Sequence, residues 1–138
     1  MRLSLLVSIC VVLFAGQLAS AQSAGERQEE RTPITVWQEK QAEWKLDNIR
    51  ERILNGENFG TLAYLYSDDP GSARNNGHLG FVTRKTLHPD VVGPAFTLEP
   101  GEISKVVKSR FGFHLFKAGK RTAEGMELQQ ILIRVEKS

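Results

Sequence analysis

Asn58 to Gly80 reads NFGTLAYLYSDDPGSARNNGHLG and is answered some thirty residues later by Phe111-Gly112-Phe113-His114. Phe59, Leu62, Ala63 and Tyr66 fall at i, i+3, i+4 and i+7, so the first half predicts a short amphipathic helix that stops at Ser67. The second half is turn chemistry. Pro70 presets φ, Gly71 tolerates a positive φ, and Asn75-Asn76-Gly77 is a second turn cluster before Leu79-Gly80. The expected unit is a polar loop carried on a packed helix.

Upstream, Ala42, Leu46, Ile49 and Ile53 recur at helical spacing with charged residues between them, which predicts a long helix from about Val36 to Leu54 ending at Asn55-Gly56. Trp37 and Trp44 share a second face of it, seven residues apart, either packed on the leader or sheet rim or offered to a partner. Downstream, strands are expected at Leu79 to Thr83, Ile103 to Val107 and Gly112 to Ala118, the last with His114, Phe116 and Ala118 on one face. Between them, His88 to Phe96 is helical at best as a truncated or 3₁₀-like turn, because Pro94 lacks an amide hydrogen and its ring crowds the preceding turn. The chain closes in LQQILIRV, a β-rich run with Leu128, Gln130 and Leu132 on one face and Ile131, Ile133 and Val135 on the other.

Met1 to Ala21 has the pattern of a secretory signal peptide: Arg2, an apolar run from Leu3 to Phe14, and an Ala19-Ser20-Ala21 cleavage site. The run is too short for a spanning helix, so no stable membrane insertion is expected once it is removed, and a secreted or periplasmic location follows. Residues 22–32 are polar and expected to be a flexible leader; residues 33–138 are expected to form a single domain. Cys10 lies inside the signal, so the remaining 117 residues carry no cysteine, hence no disulfide, thiolate nucleophile or thiolate metal site. Their 17 basic and 16 acidic residues argue against a nucleic-acid partner. No metal or other cofactor is expected, since His78 and His88 fit no ligand spacing.

The order of these parts resembles the parvulin (rotamase) family of peptidyl-prolyl isomerases. The resemblance is carried by Gly56 to Ser67, Gly77 to Gly80, Leu87 to Phe96, Pro100 to Ser104 and Phe111 to His114. It implies an α+β fold: a four-stranded antiparallel sheet with one long and two or three short helices. The family's first strand is central and lies beside the strand bearing FG-x-H. Two segments compete for that place, Pro33-Ile34-Thr35-Val36 and the C-terminal run; the latter is favoured because a hairpin over residues 112–135 delivers it in the right direction and Pro33 suits an edge.

The resemblance also implies a proline pocket, in which Leu79, Leu87 and Val91 match the family's leucine, methionine and phenylalanine, with Phe96 and Phe113 beside them. It implies a polar cluster in which Asp69 matches a cysteine or aspartate, His114 the FG-x-H histidine, and Gln130 the first-strand histidine if the C-terminal run fills that place; if the N-terminal segment fills it, the position falls at Pro33. The implied activity is cis/trans isomerisation of X-Pro bonds in unfolded or exported polypeptides. Val91 and Gln130 depart from the family pattern, which keeps open a non-catalytic chaperone or peptide-binding module. Taken alone, His114 is also readable as a satisfied core histidine and Asp69 as a turn former. A Ser67-His114-Asp69 triad is set aside for want of a nucleophile elbow or oxyanion motif.

Overall fold

A computed structural model describes residues 32–135; the expected signal peptide and most of the expected leader lie outside the described residues. In chain order the elements are α1 (Pro33–Leu54), α2 (Phe59–Tyr66), α3 (Pro70–Ala73), β1 (His78–Val82), α4 (Pro89–Phe96), β2 (Val107–Ser109), β3 (Gly112–Arg121) and β4 (Met126–Arg134). The strands form one antiparallel sheet in the order β1-β4-β3-β2. This is the α+β architecture expected, with one long helix and three short ones.

The C-terminal run takes a central place. β4 pairs with β3 from Gly112↔Arg134 to Arg121↔Met126 and, on its other side, with β1. The rival segment does not become a strand, because Pro33 to Val36 is the first turn of α1. Thr32 caps that turn, its hydroxyl accepting from the Thr35 amide at 3.4 Å, and Pro33 sits at the first helical position, where a missing N–H costs no hydrogen bond.

β3 and β4 are buried on both faces, since helices or loops cover each side. On one face Phe113, Leu115, Ile131 and Ile133 pack under Ala42, Leu46 and Ile49 of α1 and Phe59, Leu62 and Ala63 of α2. On the other, Phe116, Ala118, Met126 and Leu128 pack against Val82 of β1 and Val91, Ala95 and Phe96 of α4. Alternation along β3 therefore sends Phe113 and His114 to opposite sides of the sheet.

Three local expectations need correction. Ile103 to Val107 is not a continuous strand: Ile103 makes one bridge to Lys117, and pairing resumes only at Val107. Between them the Ser104 amide still donates to the Phe116 carbonyl at 2.9 Å, but the return bond is diverted: the Phe116 amide donates to Ser104 Oγ at 2.9 Å and the Ser104 carbonyl accepts Arg50 Nε at 2.8 Å. α4 is a full two-turn α-helix. Within eight residues Pro94 deprives only the exposed Asp90 carbonyl of its helical donor, and Arg121 closes the other end with bonds to the Phe96 and Leu98 carbonyls at 2.8 and 3.1 Å. Finally, Pro70 to Ala73 forms a helical turn in which Gly71 does not use a positive φ.

Candidate functional site

The loop after α2 is built as a partial extra strand. Beyond its pairing with β1, β4 still has free backbone groups, and the loop satisfies them. Asp68 N donates to the Leu132 carbonyl at 2.7 Å, Leu132 N to Ser67 Oγ at 3.1 Å, Arg134 N to Asp68 Oδ2 at 2.9 Å, and Gln130 N to the Gly77 carbonyl at 2.8 Å. Gly77 permits this approach: its φ is +81°, and an added Cβ would stand 2.7 Å from the Gln130 carbonyl and 2.9 Å from the Ala63 Cβ. Asp69 is thereby held over the face of the sheet that carries His114 and Gln130.

Five side chains then join in one row. His114 and Gln130 are buried and lie on diagonally adjacent positions of β3 and β4, since His114 faces Leu132 and Gln130 faces Phe116. His114 Nδ1 lies 3.3 Å from Gln130 Oε1, and Gln130 Nε2 donates to Asp69 Oδ2 at 2.9 Å. Ser72 Oγ donates to the same carboxylate oxygen at 2.6 Å. At the other end, Ser109 Oγ is 2.6 Å from His114 Nε2, and the Phe111 amide donates to Ser109 Oγ at 3.1 Å. The β2–β3 hairpin pairs Ser109 with Gly112, two residues before His114 on β3.

The charges follow from these neighbours. Burial pushes the Asp69 carboxyl up, but hydrogen bonds from Ser72 and Gln130 and the positive charge of Arg134 outweigh it, so the group is held below the ordinary carboxylate value and stays ionised. Burial pushes the His114 imidazole below 6.5, and Gln130, Asp69 and Asp90 only partly oppose this. At neutral pH the row thus holds a neutral imidazole and a carboxylate bridged by an amide.

The apolar candidates border it. His114 stacks on Phe116 with centroids 5.5 Å apart and planes 14° from parallel. Phe116 belongs to the cluster containing Val91 and Phe96, against which the half-buried Leu79 and Leu87 pack. Val91 and Phe96 form the floor, while Leu79 and Leu87 retain accessible surface. Phe113 does not join them. It packs under α1 with Leu46 and Ile49, because it is one residue from His114 on a strand with a two-residue repeat.

Of the residues read from the sequence, Asp69, Gln130 and His114 come together, as do Leu79, Leu87, Val91 and Phe96. Ser72 and Ser109 were missed. Both precede or follow turns where serine is commonplace, and only the tertiary contact with Asp69 or His114 distinguishes them. His88 caps α4: its Nδ1 accepts from the Asp90 amide at 3.3 Å, and its ring meets Phe111 edge-on at 5.3 Å. Trp37 and Trp44 stand clear of the sheet at 67% and 70% exposure. A concavity of about 250 Å³ lies elsewhere, lined by Asn58, Gly60, Thr61, His78 and Lys117 among others, and contains none of the site residues. Among the described residues no cluster of His, Cys, Asp and Glu is suited to a metal ion.

A profile of the rotamase family, described as the PPIC-type PPIASE domain, matches residues 20–120. The chain belongs to that family. The match stops before β4, so the strand at the centre of this rotamase sheet lies outside the segment by which the family is matched. Among curated relatives the chain is 39% identical over 88 residues to the chaperone SurA of Nitrosococcus oceani, covering 64% of this chain and 21% of that protein. It is 37% identical over 94 residues to the foldase protein PrsA of Staphylococcus aureus strain Newman, covering 67% of this chain and 29% of that protein. The crystal structure of the peptidylprolyl isomerase PrsA from Bacillus cereus superposes with a TM-score of 0.56 at 34% identity, over 59% of this chain and 32% of that one. The chain therefore spans between a fifth and a third of the length of these relatives. No helix among the described residues is long and apolar enough to cross a membrane.

Proposed function

We propose that this protein is a peptidyl-prolyl cis-trans isomerase acting on X-Pro bonds of unfolded, exported polypeptides outside the cytoplasm. The observation that carries the reading is the adjacency, on one face of the sheet, of the Ser109–His114–Gln130–Asp69 row and the Leu79, Leu87, Val91 and Phe96 cluster. Rotamase family membership and the relatives named SurA and PrsA support it.

The chemistry asks little of the site. Uncatalysed X-Pro exchange takes tens to hundreds of seconds over a barrier of about 18–20 kcal/mol, and a turnover near 10 s⁻¹ needs roughly 10³-fold, or about 4 kcal/mol. No covalent bond breaks and no proton must move. The C–N bond resists rotation because amide resonance gives it partial double-bond character, with negative charge accumulating on the carbonyl oxygen. An ionised Asp69 beside that oxygen disfavours the resonance form and so lowers the rotation barrier, while Leu79 and Leu87 hold the proline ring. The residue before proline and its carbonyl lie over the polar row, and the ring lies over the apolar floor. No cofactor takes part in this scheme.

A second reading is favoured by one residue. Gln130 occupies the position of the family's first histidine, and a protein that keeps the apolar surface but not turnover would be a peptide-binding chaperone module. NMR exchange spectroscopy on an Ala-Pro peptide series decides between them. The isomerase reading expects exchange cross-peaks that grow with protein concentration and weaken in Asp69→Ala and His114→Ala. Peptide line broadening without accelerated exchange would refute it in favour of the chaperone.

A further inference from the structure

With His114 neutral, the row of side chains has only one consistent assignment of protons. A carboxylate accepts and cannot donate, so the end of Gln130 that lies 2.9 Å from Asp69 Oδ2 must be its NH₂. The other end, 3.3 Å from His114 Nδ1, is then the carbonyl oxygen, which only accepts. Nδ1 must carry a hydrogen to make that bond; a bare Nδ1 would face the carbonyl lone pair to lone pair. In a neutral imidazole this leaves Nε2 bare, and Ser109 Oγ, at 2.6 Å, donates its hydroxyl hydrogen there. Ser109 Oγ in turn accepts from the Phe111 amide, and Ser72 donates to Asp69. Each group holds one compatible role, and every donor along the row from Phe111 to Asp69 points the same way.

The alternative amide orientation fails at one place. With Gln130 turned over, its carbonyl oxygen would stand at the same distance from the Asp69 carboxylate, two acceptors in contact, while its NH₂ met Nδ1 and forced the hydrogen onto Nε2. The charge on Asp69 thus selects the amide orientation, and the orientation selects the imidazole tautomer two side chains away.

We propose that Gln130 is a positioning residue that transmits the charge of Asp69 to His114, fixing it as the neutral Nδ1–H tautomer with the Ser109 hydroxyl committed to Nε2. The row is then a relay that does not titrate through its middle member, unlike one with an imidazole at that position. Its meaning for turnover rests on the isomerase reading above; its existence does not.

Long-range ¹H–¹⁵N correlation spectra of the ¹⁵N-histidine-labelled full chain at pH 7.5 test this without reference to activity. The expected spectrum of His114 has a pyrrole-type Nδ1 and a pyridine-type Nε2. Asp69→Asn removes the charge that forbids the turned-over amide, so a pyrrole-type Nε2 signal should appear. Gln130→Leu should do the same by removing the acceptor. Gln130→Glu keeps an acceptor for Nδ1 but puts a second carboxylate beside Asp69, and should shift His114 toward the imidazolium. A wild-type His114 with its hydrogen on Nε2 would overturn the proposal. So would an unchanged Nδ1–H signature in Asp69→Asn and Gln130→Leu, each checked for native folding by its backbone amide spectrum. Exchange spectroscopy on the same samples separates the two claims: an intact relay with no peptide exchange would remove the isomerase reading alone.

Discussion

Removal of residues 123–138 should abolish folding. β4 contributes Met126, Leu128, Ile131, Leu132 and Ile133, all at 5% exposure or less. At about 1.5–3 kcal/mol for each large side chain, their burial is worth about 8–15 kcal/mol, an upper bound because a real unfolded chain already hides part of this surface. Domains of this size are stable by about 5–15 kcal/mol in total, so the loss matches or exceeds what is available. The deletion also strips β1 and β3 of their shared neighbour and leaves Asp68 and Gly77 without the backbone groups they serve. Far-UV circular dichroism should report an unfolded chain, and the amide spectrum should collapse to the random-coil region. A synthetic peptide of residues 123–138, added in excess, should restore dispersed signals, because it carries the side chains and backbone groups with which β4 pairs to β1 and β3. A cooperative melt of the truncated chain within about 5 °C of the parent, roughly 1 kcal/mol for a domain this size, would refute the placement of β4.

The remaining expectations concern single residues and pH. Gly77→Ala should cost about 1–3 kcal/mol more than Gly80→Ala in urea denaturation: both glycines have positive φ, but only at Gly77 would the new methyl strike β4 and Ala63, whereas Gly80 has nothing within 4 Å. Equal costs would show that the loop yields freely there. Phe113→Ala should lose about 3–5 kcal/mol of stability and leave the peptide affinity of the folded protein unchanged, since Phe113 lies under α1. Leu79→Ala should behave oppositely, costing little stability and weakening an Ala-Pro peptide about five-fold, the equivalent of about 1 kcal/mol, by chemical-shift titration. Acid should destabilise the fold in two stages. His114 is held below 6.5, so the unfolded chain binds its proton first, and the stability it contributes, complete above about pH 6.5, falls as pH drops toward the lowered folded value. Asp69 is likewise lowered, but its contribution persists until the pH falls below the ordinary carboxylate range. Urea midpoints between pH 8 and 3 should show both stages, and His114→Gln should remove the first; a flat profile from pH 8 to 5 in the parent would contradict the burial of a neutral imidazole.

Much of the fold was legible because its signals are local. The 3.6-residue spacing of Ala42, Leu46 and Ile49 and of Phe59, Leu62 and Ala63 states which face of each helix is buried, and Asn55-Gly56 and Asn75-Asn76-Gly77 end elements through their own backbone preferences. The β-rich composition of Leu128 to Val135 marks a strand wherever the chain later puts it. What the sequence could only rank was the occupant of the central slot, since the choice depends on whether Pro33 to Val36 starts a helix. Thr32 and Pro33 favour that start, and the five buried apolar residues of β4 outweigh four exposed or half-exposed residues as sheet-forming surface.

The site divides in the same way. Asp69, His114 and Gln130 were readable as types at positions, but 45 residues separate Asp69 from His114, and no local rule says which atoms meet. Tertiary structure decided that Ser72 and Ser109 belong to the row, that Phe113 packs on the opposite side of the sheet from it, and that the Ser104 hydroxyl holds the Phe116 amide. The physical reason is that a hydrogen bond depends on tenths of an ångström set by packing on both sides of the sheet, whereas hydrophobic burial needs only the right face. Sequence periodicity determines faces; the assembled sheet, with the loop after α2 stitched to β4, determines partners.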